Sequence, residues 1–189
     1  MSDAHTHSNA DFNFAVPDAI TFDQAIDLTH SLLAQIEAGS LPDSAIEATL
    51  AKLVSSENGA RGFFVTYLTD DRPLADQPSP AVVNALKTSA EIVAELLVKN
   101  LAMSTAMGLA HRRNHNETMA NGSDRVQQRT TQLIQLVQLP QVAEKASQLQ
   151  QSASTGAGPY QPFLDRWGYD AEQRLAIQQA MERAIHSPT

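Results

Sequence analysis

The side chains best equipped for chemistry gather at the end of one apolar segment, in Ala110-His111-Arg112-Arg113-Asn114-His115-Asn116-Glu117. His111 and His115 stand at i and i+4, so on a helix their imidazoles stack one turn apart and can reach one metal ion at about 2.0–2.1 Å. A third ligand must then come from another element, for which Asp27 and His30, at i and i+3 in an earlier helical segment, are the candidates. No glutamate follows His111, so the zinc-protease arrangement, with its general-base Glu between two histidines, is absent. The competing reading is a helix end in water, where Arg112, Arg113 and both histidines meet the negative end of the helix dipole.

Plotted at about 100° per residue from Leu96, the positions Asn100, Ser104, His111 and His115 fall between about 40° and about 100°. Val93, Leu97, Leu101 and Met107 share that side, so the four polar residues are expected to form an inward line and are the ligand-binding candidates. Asn100 and Ser104 also have a structural alternative, since a helical Ser bonds back to the carbonyl four residues earlier. A second cluster, Tyr160, Phe163, Trp167 and Tyr169, concentrates aromatic area within ten residues. It either folds back to lock the last helix or forms a partner surface, because aromatics enrich interface cores.

Other motifs exclude function classes. No Gly-x-Ser-x-Gly is present, and Gly59-Ala-Arg-Gly62 lacks the Lys and Ser/Thr of a phosphate loop. Asp70-Asp-Arg-Pro-Leu-Ala-Asp76 lacks the central Gly and terminal Glu of a calcium loop and reads as a turn with an internal Arg–Asp pair. No cofactor is implied, and whether the protein is an enzyme stays open.

The elements that must position these residues are helical. Thr21-Phe-Asp-Gln24 is a capping box opening a first helix that runs to Gly39. A second helix follows Ser40-Leu-Pro-Asp-Ser and is expected to stop at Asn58-Gly59. Phe63, Phe64, Tyr67 and Leu68 lie on one helical face, which favours helix over strand for residues 61–69. Ser79-Pro80 starts a short helix, and Thr88-Ser-Ala-Glu91 reads as the capping box of a long one expected to continue to Asn121-Gly122. Residues 123–138 form the next helix, residues 141–151 resume it after Pro140, residues 152–159 are a small-residue linker, and Asp170 caps a last helix through Ile185. The sum is an all-α, single-domain bundle of seven or eight helices around a long central helix, over residues 21–189. Residues 1–20, with His5 and His7, read as a mobile polar arm.

At 189 residues, with 42% hydrophobic but only 5% aromatic content, the chain can bury an aliphatic core in one domain. No cysteine is present, which removes disulfides, thiolate metal sites and Cys nucleophiles. The net charge of −8 opposes phosphate backbones at long range, so nucleic acid is not expected. The most apolar stretch, residues 92–110, is interrupted by Glu95, Lys99 and Asn100, so membrane insertion is not expected either.

The runs Arg61-Gly-Phe-Phe-Val-Thr-Tyr-Leu-Thr-Asp-Asp-Arg-Pro-Leu-Ala-Asp76 and Ala94-Glu-Leu-Leu-Val-Lys-Asn-Leu-Ala-Met-Ser104, with His111-Arg-Arg-Asn114, resemble stretches of uncharacterised cyanobacterial all-helical proteins. The resemblance covers about a third of the chain and implies a bacterial cytoplasmic setting, with no activity or functional residue to carry over. The expected function is a non-enzymatic helical interaction or regulatory protein with a protein partner. The alternative is a small helical enzyme or a ligand- or metal-binding protein whose pocket is lined by Asn100, Ser104, His111 and His115. The aromatic patch and the Ala-rich long helix also admit a homodimer.

Overall fold

A computed structural model describes residues 14–186. Of the expected arm, residues 1–13, including His5 and His7, lie outside the described residues. Residues 14–20 run along the domain, with Ile20 buried and Phe14 and Val16 packed against the core. Helix α1 (Phe22–Glu37) opens with the expected capping box: Thr21 Oγ1 accepts from the Gln24 amide at 3.2 Å, and Gln24 Oε1 accepts from the Thr21 amide at 3.0 Å.

Helix α2 (Asp43–Val54) ends earlier than Asn58-Gly59, and α3 (Glu57–Thr69) follows after two serines. Ser56 Oγ accepts from the Gly59 amide at 3.2 Å, which draws Asn58 and Gly59 into the first turn of α3 instead of leaving them as a stop. A Cβ at Gly59 would lie 2.0 Å from the Leu53 carbonyl oxygen, so only glycine allows this tight α2–α3 join. Phe63, Phe64, Tyr67 and Leu68 are buried along one face of α3, as their spacing predicts, with Phe63 and Tyr67 stacked at 5.0 Å.

The loop after α3 holds a 3-10 turn (Pro73–Ala75) and the expected internal pair, in which Arg72 grips Asp70 through Nε at 2.7 Å and Nη2 at 2.6 Å. That pair leaves the Asp70 carboxyl lowered to about 2, chiefly through the Arg72 hydrogen bond. Helix α4 (Pro80–Lys87) is capped by Ser79, and α5 (Ala90–Arg113) restarts after it. The second capping box does not form: Thr88 Oγ1 instead donates back to the Ala85 carbonyl at 2.7 Å, and Ser89 stands at the N-cap without a side-chain bond.

The long helix also stops sooner than expected. It ends at Arg113, and Asn116 caps α6 (Glu117–Val137) by accepting from the Met119 amide at 3.2 Å. Between them His115 takes a left-handed φ of 55°, so it is not part of the helix. Gly122, read as a stop, lies inside α6. Helices α7 (Pro140–Thr155), α8 (Gln161–Arg166) and α9 (Ala171–His186) complete the chain. Asp170 caps α9 as expected, accepting from the Gln173 amide at 2.9 Å.

The described residues thus form an all-α fold of nine α-helices with no strand. Helix α5 is the central rod, packed against α6, α7 and α9 and touching α3 and α4. By length and average composition it alone among the described helices would pass for a membrane span, and half of that window is buried inside the bundle. Its buried face holds Val93, Ala94, Leu97, Val98, Leu101, Ala102, Ser104, Ala106 and Gly108. The arc is therefore rotated towards the small residues, which let neighbouring helices approach closely, and Met107, expected inward, is exposed. Asn100 and Leu96 are left at the edge of the core, half-buried.

A bond network absent from the sequence reading fixes the α3–α4 connection. Arg129 of α6 is only 2% exposed, and its guanidinium donates to the Leu68, Asp70 and Arg72 carbonyls at 3.0, 2.7 and 3.3 Å. Its Nε also meets Asp76 Oδ1 at 2.6 Å. The Leu68 carbonyl belongs to the last turn of α3, where carbonyls lack intrahelical donors and the dipole favours a cation.

Candidate functional site

A groove of about 840 Å³ lies between α3, α5, α7 and the α8 segment. Its wall of α8 residues is set by how α7 ends. Gly156 takes a left-handed φ of 71° and Gly158 a φ of 129°, so the chain reverses within a few residues. Ser152 Oγ then accepts from the Tyr160 amide at 3.2 Å, a contact that a side chain at Gly158 would obstruct, since its Cβ would sit 2.6 Å from that oxygen. Tyr160 is thereby buried and its hydroxyl donates to Glu95 Oε2 on α5 at 2.7 Å.

Glu95 is the hub of the polar wall. Lys99 Nζ, one turn further along α5, meets its other oxygen at 2.7 Å, and Lys145 of α7 lies 3.5 Å from Glu95 and 3.2 Å from Glu91. Burial pushes the Glu95 carboxyl up, but the bonds from Lys99 and Tyr160 and the nearby Lys145 charge outweigh it and hold the group below its ordinary range. Burial and the Glu95 bond push the Tyr160 hydroxyl strongly up, so it stays a donor. Lys99 also lies 5.7 Å from the Phe163 ring centroid, a cation over an aromatic face.

The opposite lining comes from α3 and the start of α1. Arg61 stacks 5.2 Å from the Phe22 ring centroid, and Val65 is 44% exposed beside Phe64. Trp167, the chain's single tryptophan, is 49% exposed and lines the same space. Arg166 stands next to it. The lining includes no Ser, Thr, His or Cys, and its one central carboxylate is saturated by donors. The side chains it presents are aromatic, aliphatic and cationic.

The residues singled out from sequence are dispersed. Asn100 opens on the groove, whereas Ser104 is buried and bonds back to the Asn100 carbonyl at 2.8 Å and the Leu101 carbonyl at 3.2 Å. His111 is half-buried near the end of α5, eleven residues beyond Asn100, or about 16 Å along the axis at about 1.5 Å per residue. His115 is exposed on the turn after it. Asp27 and His30 are exposed on α1, which packs on α3 and α2. Among the described residues no group of three or more His, Asp or Glu side chains is placed to hold a metal ion.

The aromatic cluster divides. Tyr160 and Tyr169 are buried, Phe163 is half-buried with its ring 6.2 Å edge-on from Tyr169, and Trp167 reaches solvent. Three of these four line the groove. Sequence reading did not find Arg61, Glu95, Lys99, Lys145 and Arg166 as site residues. Only the i, i+4 spacing of Glu95 and Lys99 signalled a pair, because the other partners come from distant segments.

The described residues define an all-helical bundle protein with an aromatic, cation-lined groove. Residues 21–184 match the family described as Uncharacterised conserved protein UCP020893, and the chain belongs to that family. No curated protein and no solved structure matches the chain.

Proposed function

We propose that this is a non-enzymatic interaction protein whose groove between α3, α5, α7 and α8 receives a segment of a protein partner. The observation that carries the reading is Trp167, half-exposed in a groove also lined by Tyr160, Arg61 and Arg166. Trp, Tyr and Arg are the residue types in which binding energy concentrates at interfaces. The reading places the protein in a bacterial, cyanobacterial cytoplasm, the setting implied by the resemblance of residues 61–76 and 94–104.

The test is site-specific crosslinking in native extract, with a photoreactive amino acid at Val65 in the groove or at Gln135, an exposed position outside its lining. A discrete crosslinked species from Val65, absent from Gln135 and lost on Trp167→Ala, is expected. Equal labelling from both positions, or labelling indifferent to Trp167, overturns the reading.

A second reading, a ligand carrier, draws on the groove volume, which falls within the roughly 300–1,000 Å³ range of small-molecule sites, and on Asn100 at its wall. Native mass spectrometry of the full chain tests it: a co-purified mass lost on Asn100→Leu supports a carrier, and an unliganded mass argues against it.

A further inference from the structure

We propose that the partner segment is acidic as well as apolar, with carboxylates that meet Arg61 and Arg166 while an aromatic or aliphatic anchor packs on Val65, Met103 and Trp167. This rests on the reading that the groove takes a polypeptide, and adds its chemistry.

The groove carries uncompensated positive charge. The whole chain carries 13 Lys and Arg against 21 Asp and Glu, yet the groove reverses that balance, with Arg61, Lys99, Lys145 and Arg166 against Glu57 and Glu95. Lys99 and Lys145 are already committed to Glu95 and Glu91. Arg61 and Arg166 make no ion pair among the described residues, whereas Arg72, Arg112, Arg113, Arg125, Arg129 and Arg174 each make at least one. Glu57 lies in the first turn of α3, where the helix dipole partly offsets its charge.

Arg61 is also held in place by the Phe22 ring, so less freedom is lost when it engages a carboxylate. A guanidinium presents a fork of donors matched to a carboxylate, whereas the acidic remainder of the surface repels an acidic segment elsewhere and so restricts it to this face. An extended polyanion such as nucleic acid, or an anionic bilayer, would have to bring that remaining surface close as well.

The experiment selects from a displayed random 16-residue peptide library on the full chain, then measures the selected peptides by Trp167 fluorescence, which reports the groove alone because the chain has no other tryptophan. Enrichment of Asp and Glu beside aromatic or leucine residues is expected. Affinity should fall about tenfold on the double change Arg61→Gln, Arg166→Gln, and recover only in part with Lys at both positions, which restores the charge but not the planar fork. Both positions are exposed, and circular dichroism checks that each variant keeps the wild-type fold.

Selected peptides that shift Trp167 emission but are neutral or basic, or that ignore the double change, overturn the acidic proposal and leave the docking reading standing. Failure of every selected peptide to perturb Trp167 overturns both. Phosphatidylglycerol vesicles serve as the lipid arm: if they shift Trp167 emission and the peptides do not, the surface reads membranes and the proposal falls.

Discussion

Replacing Arg129 by methionine should be among the most destabilising single changes on the surface-to-core boundary of this protein. Methionine refills the apolar stem of the side chain, so the cost isolates the lost guanidinium. The Leu68 carbonyl bond is buried, and leaving that oxygen without a donor costs about 2 kcal/mol. The Asp70 and Arg72 carbonyls and the Asp76 carboxylate lie nearer solvent, so water replaces part of each bond and each loss is about 0.5 kcal/mol.

The sum is about 3–4 kcal/mol, within the range for removing one member of a buried charged cluster. For a chain of 189 residues that lowers the melting temperature by roughly 6–16 °C. Urea unfolding followed by far-ultraviolet circular dichroism measures it, with Asp76→Asn as the comparison. Because the Asp76 side chain is half exposed, that variant should lose no more than about 1 kcal/mol. If Arg129→Met falls within about 1 kcal/mol of wild type, or if both variants cost the same, the guanidinium is not the clamp between α6 and the end of α3.

Two further outcomes follow from named contacts. Asp70 has a folded pKa lowered to about 2 by the Arg72 bond against an ordinary 3.8, so its stabilisation is full above about pH 5 and is lost as pH falls towards 2; Asp70→Asn should remove at most about 2 kcal/mol at pH 7 and flatten the acid limb of an unfolding-versus-pH series, and an unchanged limb contradicts the pairing. Gly122→Ala should stabilise by about 0.5–1 kcal/mol, since nothing lies within 4 Å of the added Cβ in a helix interior, whereas Gly62→Ala should cost about 1–3 kcal/mol because its Cβ would come 2.5 Å from Ala25 Cβ; thermal melts that reverse this order refute the placement of both glycines.

Local signals carried far in this chain and tertiary ones did not. Thr21 with Gln24, Ser79 with Pro80, and Asp170 ahead of α9 were readable because a cap is completed within four residues. Asn58-Gly59 and Asn121-Gly122 misled for a shared reason: glycine marks a stop only where the backbone turns left-handed, and here Ser56 and Asn116, each two or more residues earlier, supply the caps that carry both glycines into helices. Once α5 ends at Arg113, the helical wheel no longer applies to His115, and the inward line of four polar residues loses its last member. Arg129 was invisible because every acceptor that justifies burying it lies more than fifty residues away.

The aromatic cluster shows how one sequence feature can resolve into two roles. Folding back and facing a partner were competing readings; Tyr160 and Tyr169 do the first, while Trp167 is left half in water. The backbone decides the division. Ser152 fixes Tyr160 at one end of α8, and at the other Gly168 turns left-handed at φ 61° so that Asp170 can cap α9, which leaves Trp167 as the last residue before the turn. Its exposure is therefore tied to a helix start that the fold needs for its own stability. With 49% of a side chain that buries up to about 250 Å² left in water, a partner covering it would recover about 3 kcal/mol from this residue alone. That is more than an exposed ion pair supplies, so in the proposed docking the apolar anchor would set affinity and the arginines would set which segment is admitted.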